Sequence, residues 1–171
     1  MKKQLTSAQA NNLLKQLNEE FRSLLYRERQ SRVFVAATTE DREEARPEYD
    51  YAAVQAQLAA IEGKIRRVKH TINVFNITHV VEGFGMTVDQ LLLCIQQLRD
   101  RKTRLDGMCD LLPKTRIEGN VRSNLIEYRY ANYDPSAAKA DFLAASDELA
   151  RAQIALDTLN NSVTMEIDLD D

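Results

Sequence analysis

The stretch YAAVQAQLAAIEGKIRRVKHTINVF, residues 51–75, decides the fold. Its apolar side chains at Tyr51, Val54, Leu58, Ile61, Ile65, Val68, Ile72 and Phe75 advance by alternating steps of three and four. That period keeps one stripe of an α-helix facing a partner, whereas a strand would need a period of two. Gly63 lies off the stripe and costs about 1 kcal/mol of helix propensity relative to Ala, which so long a seam absorbs. The spacing predicts a helix over residues 50–76.

The flanking sequence repeats the pattern. Upstream, Ala10, Leu14, Leu17, Phe21 and Leu24 form a second seam, widened by Leu13 and Leu25, and predict a helix over 6–35 that starts near Thr6 or Ser7. The charged segment from Thr38 to Glu48, with Pro47, reads as its connecting loop. Downstream, Ile77 to Val81 followed by Gly83 and Gly85 predict an extended segment over 77–82 and a turn. Thr87 and Gln90 then carry a capping-box signature that opens a helix over 87–112. Leu91, Ile95, Leu98, Leu105, Cys109 and Leu112 are its seam, Lys102 interrupts it, and Pro113 stops it.

Residues 114–134 read as irregular chain with one strand over 124–131, where Ile126, Tyr128 and Tyr130 alternate with Glu127 and Arg129. Asp134 and Pro135 suit the cap and first turn of a last helix over 135–162. Phe142, Ala145, Leu149, Ala152, Leu156, Leu159 and Val163 line its seam, and residues 163–169 alternate as an edge strand does. Leu58 to Asn76 maps onto Phe142 to Asn160 at a constant offset of 84, with an alternating segment after each. The fold class expected is mainly α: an elongated antiparallel helical bundle with coiled-coil-like packing, plus a small β element, in a single domain over 1–171.

Composition agrees with helices: among 171 residues, Gly and Pro number only 5 and 3. Residues 61–116 carry a net +4 and residues 141–171 a net −7, a polarity suited to helices that pair within the molecule or across a dimer. No secretory leader follows Lys2 and Lys3, and the apolar run Leu91 to Ile95 falls far short of the roughly 20 residues that span a bilayer. A cytoplasmic protein is expected. Cys94 and Cys109, about 22 Å apart along one straight helix, cannot form a disulfide and are expected to be reduced, buried thiols.

The Asn-rich helix end Ile72, Asn73, Phe75, Asn76 and Thr78, followed by Met86, Thr87, Val88 and a Leu-rich helix, resembles the septicolysin-annotated family of small bacterial proteins. The closing Leu159, Asn160, Asn161 and Thr164 extend the likeness over about residues 50–169. The resemblance implies a helical-hairpin fold without established chemistry, and the family's name implies a cytolysin. It carries over no catalytic residue.

The one polar cluster that suggests a site is Lys69, His70, Asn73, Asn76 and His79, joined by Thr78. Positions 69, 73 and 76 share a helical face that suits a small anionic ligand or a partner backbone. Asn residues near a seam also set register or cap helix ends, and that reading is preferred. His70 and His79 lack a third ligand at a recognised spacing, so no metal is expected; nor is any cofactor, since Gly83 and Gly85 lack the third glycine of a dinucleotide loop.

No catalytic residue is expected either, because both cysteines sit in an apolar stripe that disfavours a thiolate. The basic runs Lys64, Arg66, Arg67, Lys69 and Arg99, Arg101, Lys102, Arg104 are diluted by acids. With no Trp and no aromatics among these cations, nucleic acid is not the partner expected. An acidic C-terminal segment argues against anionic membrane. The function expected is that of a non-enzymatic, self-associating interaction or scaffold protein, a homo-oligomer with a further protein partner. A membrane-active protein is the first alternative, and an enzyme or small-ligand binder with a site near the end of the second helix is the second.

Overall fold

A computed structural model describes residues 2–117 and 126–169. The protein is mainly helical, with four helices and a small antiparallel strand component. In chain order the elements are β1 (Lys2–Thr6), α1 (Ser7–Ser31), α2 (Tyr51–Thr78), β2 (Val80–Val81), β3 (Met86–Thr87) and α3 (Val88–Cys109). Then come β4 (Lys114–Arg116), β5 (Tyr128–Tyr130), α4 (Pro135–Ser162) and β6 (Thr164–Asp168). They divide into two compact units, one of Met1–Thr78 with Leu159–Asp171, the other of His79–Thr158.

In the first unit α1 and α2 form an antiparallel hairpin. Leu24, late in α1, packs with Leu58 and Ile61, early in α2, and Phe21, Leu25, Val54 and Ile65 surround them. Val68, Ile72 and Phe75 continue the buried stripe of α2, as the three-and-four spacing requires. β1 and β6 pair antiparallel, with Leu5 opposite Met165 and Lys3 opposite Ile167. The alternation of β6 puts Met165 and Ile167 inside and Thr164, Glu166 and Asp168 outside. Arg67, expected on a solvated basic face, is half-buried instead, and its Nη2 donates to the Leu169 carbonyl at 3.3 Å, tying α2 to the end of β6.

In the second unit, His79–Thr158, β2 and β3 make a hairpin whose turn holds Gly83 and Gly85 at φ 82° and 62°. A side chain there would be forced into the left-handed region, which only glycine enters without strain. The Thr87 hydroxyl accepts from the Gln90 backbone N–H at 3.3 Å and the Gln90 amide oxygen accepts from the Thr87 N–H at 3.0 Å, the capping box that the sequence predicts. α3 and α4 run antiparallel: Lys102, late in α3, lies 5.4 Å from the ring centre of Phe142, early in α4, and the Tyr133 hydroxyl donates to the Met108 carbonyl at 2.7 Å. Asp134 caps α4 as expected, its carboxylate accepting from the Ser136 N–H at 2.8 Å.

Several boundaries differ from the sequence expectation. α1 ends at Ser31, short of 35, because Val33, Phe34 and Val35 lose side-chain freedom in a helix; Val35 is 93% exposed. α3 ends at Cys109 rather than 112, since Pro113 steers Leu112 away from helical geometry, and Leu112 leaves the seam for solvent. Cys94 and Cys109 are free and half-buried rather than buried. Three strands were not expected at all: β3, Met86–Thr87, falls where the sequence reads as turn and helix start, and it exists through its pairing with β2. β1 is too polar to read as a strand alone and exists through its pairing with β6, helped by the Lys2–Glu166 ion pair at 2.7 Å. β4 falls in what reads as irregular chain and exists through its pairing with β5. Of the strand expected over 124–131, residues 124 and 125 lie outside the described residues.

The two halves of the chain repeat one order of elements. β1–α1–α2–β2 is followed by β3–α3–α4–β6, and α2 and α4 are both 28 residues long and offset by the same 84 positions found in the sequence. Each leading helix starts at a Thr-x-x-Gln capping box, Thr6 with Gln9 and Thr87 with Gln90. Strand pairing crosses between the halves: the strand entering α1 pairs with the strand leaving α4, and the strand leaving α2 pairs with the strand entering α3. The β4–β5 ribbon interrupts only the second half; the corresponding loop over 32–50 contains no strand.

Candidate functional site

The polar stretch singled out in the sequence runs along the last turns of α2. Lys69, His70 and Asn73 are exposed and Asn76 is half-buried; all four belong to the first unit. His79 belongs to the second unit, where its carbonyl accepts from the Val88 N–H at 3.0 Å and so helps close the β2–β3 hairpin. Hydroxyls near this helix end serve the backbone: Thr71 donates to the Arg67 carbonyl at 3.1 Å and Thr78 to the Val74 carbonyl at 2.7 Å. Such back-bonding binds the helix terminus to itself. Positions 69, 73 and 76 share a face as expected, and none of the grooves described below is lined by them.

A more structured surface lies on the second unit. Leu92, Ile95 and Arg99 of α3 face Gln153, Leu156 and Asp157 of α4 across an open groove of about 390 Å³. Its floor is the seam itself, since Ile95 and Leu156 are buried, while Leu92 on the rim is 44% exposed. Leu93 of α3 and Ile154 of α4 are 62% and 67% exposed, each roughly 100° round its helix from the neighbouring lining residue and so on the outer face. Arg99 on the α3 wall and Asp157 on the α4 wall give the groove one charge of each sign. These apolar residues escape a search for seams, because they lie off the three-and-four spacing. The signal for them was the Leu91-Leu92-Leu93 run, of which the seam accounts for only the first.

Chemically, this is a mixed surface, with Leu92, Ile95 and Leu156 set among Arg99, Gln153 and Asp157. Among the described residues no group of three or more His, Cys, Asp or Glu is placed to hold a metal ion, and no helix is long and apolar enough to cross a membrane.

Fold and surface together define a class: a helical protein of two hairpins, each joined to an antiparallel strand pair, with an open groove between α3 and α4. No protein-family model matches the chain, and no curated protein matches it. Among solved structures, the chain is similar to a functionally unknown conserved protein from Corynebacterium diphtheriae, with 15% identity and a TM-score of 0.61 over 95% of this chain and 99% of that one. That likeness carries the fold.

Proposed function

We propose that this is a non-enzymatic interaction protein that associates with a second copy of itself through the α3–α4 face of the second unit. The observation that supports it is the apolar surplus there: Leu92, Leu93, Leu143 and Ile154 stand in solvent on the same two helices that bury Leu91, Ile95, Leu98 and Leu156. Exposed aliphatic side chains gathered on one pair of helices mark an association surface more often than scattered single ones do. A second copy is favoured as the occupant because the groove carries both signs of charge. Turned about a twofold axis, the copy sets its Asp157 toward Arg99 and its Arg99 toward Asp157, an isologous contact.

Light scattering coupled to size exclusion tests the reading. The wild-type protein should show the mass of a dimer or larger assembly, and Leu93→Glu combined with Ile154→Glu should return it to a monomer with an unchanged far-ultraviolet circular dichroism spectrum. A monomeric wild type at roughly 100 μM, where even weak association registers, sinks the reading. Leakage of dye-loaded anionic vesicles at micromolar protein would instead favour a membrane-active role for the same apolar residues.

A further inference from the structure

The β4–β5 ribbon is the element that one half of the chain has and the other lacks. Its register sets Lys114 opposite Tyr130, Thr115 opposite Arg129 and Arg116 opposite Tyr128, and the Ile117 N–H extends the ladder to the Glu127 carbonyl at 3.0 Å. Side chains of directly paired residues share a face, and those of successive residues alternate. One face of the ribbon therefore presents Lys114, Arg116, Tyr128 and Tyr130, and the other presents Thr115, Ile117, Glu127 and Arg129. Contacts confirm the first face: the Lys114 ammonium lies 4.0 Å from the ring centre of Tyr128 and 5.6 Å from that of Tyr130. All six strand residues are exposed, and β4 and β5 pair with no third strand among the described residues.

We propose that this face binds single-stranded nucleic acid, with bases stacking on Tyr128 and Tyr130 and phosphates at Lys114 and Arg116. Two exposed rings at alternate positions of a strand stand about 7 Å apart along it, twice the rise per residue, and present separate stacking platforms. The observed centroid separation is 6.3 Å. Aromatic platforms flanked by cations are how proteins hold single strands without reading sequence. Among the described residues of the ribbon no carboxylate shares the face, since Glu127 points the other way.

Neither strand shows this in the sequence: the cations come from one segment and the tyrosines from another, and only the pairing interleaves them. The proposal stands apart from self-association, because it uses none of the groove residues.

Fluorescence anisotropy with a labelled oligo(dT) and the full chain tests it. Two phosphate contacts predict a loss of affinity of roughly sevenfold between about 50 and about 200 mM salt. Tyr128→Ala and Tyr130→Ala should each weaken binding by about fivefold or more, and Lys114→Glu with Arg116→Glu should abolish it, with circular dichroism melts unchanged because the ribbon is exposed. Three results overturn the proposal: no binding at about 100 μM, where even very weak complexes register; loss in the charge variant with none in the tyrosine variants; or equal affinity for heparin or anionic vesicles. The last two would make the ribbon a general polyanion patch.

Discussion

The two units share a plan and finish it differently. Among the described residues of the α1–α2 unit, nine large apolar side chains are buried, from Leu17 to Ile167, against six that are exposed. In His79–Thr158 the balance reverses, with seven buried and eleven exposed. Each hairpin also carries a groove of mixed lining. The one between α1 and α2, about 350 Å³, has Glu28, Arg32 and Glu62 among its lining residues, and Arg32 and Tyr49 both reach the Glu28 carboxylate, at 3.7 and 3.5 Å. The one between α3 and α4, about 390 Å³, is lined by Leu92, Ile95 and Leu156 with Arg99, Gln153 and Asp157. The reversal comes from the strands and connections: α1 and α2 expose Tyr26, Tyr51, Val74 and Ile77, and α3 and α4 expose Leu92, Leu93, Leu143 and Ile154, all four aliphatic. The proposed association surface is that aliphatic set.

The comparison breaks first at the core. Phe75, 2% exposed, anchors the first unit, and Phe75→Ala should cost about 3–5 kcal/mol in a denaturant titration. A cost below about 1 kcal/mol would mean that this unit is no better packed than its counterpart.

Within the second unit the contrast falls between near neighbours on one helix. Leu91→Ala, at a fully buried position, should cost about 2–5 kcal/mol. Leu93→Glu should change monomer stability by less than about 0.5 kcal/mol while weakening association. If the two behave alike, the division into seam and surface is wrong.

Seams were legible in the sequence because burial along a helix is a matter of spacing, and Leu58 to Phe75 and Phe142 to Leu156 need only the right period. The Thr87 capping box and the Asp134 cap were legible for a similar reason, each being a local bond between residues two or three apart. β1 and β4 were not, because Lys2 to Leu5 and Lys114 to Arg116 carry no strand pattern of their own and borrow order from partners elsewhere in the chain. The surface residues were hidden for the complementary reason. A seam explains what it contains, and Leu93 and Ile154 become informative only once the seam is seen to leave them out.

Smaller effects sharpen the idea of a shared plan. Thr6→Ala and Thr87→Ala remove equivalent capping boxes and should each cost about 1 kcal/mol, adding when combined. Unequal costs would show that the two leading helices depend on their caps to different degrees.

The smallest effect separates the units by pH. The Glu166 carboxylate, by hydrogen bond and charge, raises the Lys2 ammonium above its usual 10.5, while desolvation and then Glu28 raise the Tyr49 phenol above 10.0. Each group holds its proton more tightly when folded, so its contribution is present below the unfolded value and fades as pH rises through the folded one. Both lie in the first unit, so alkaline melts should lose stability above about pH 10 and lose less of it in Lys2→Met.

Hydrogen exchange measured at high and low protein concentration reads directly whether the proposed association surface lies on the second unit. Dilution should speed exchange in peptides from α3 and from residues 135–158 of α4, leaving those from α1 and α2 unchanged. Concentration-dependent protection in α1 and α2, or none anywhere, would contradict it.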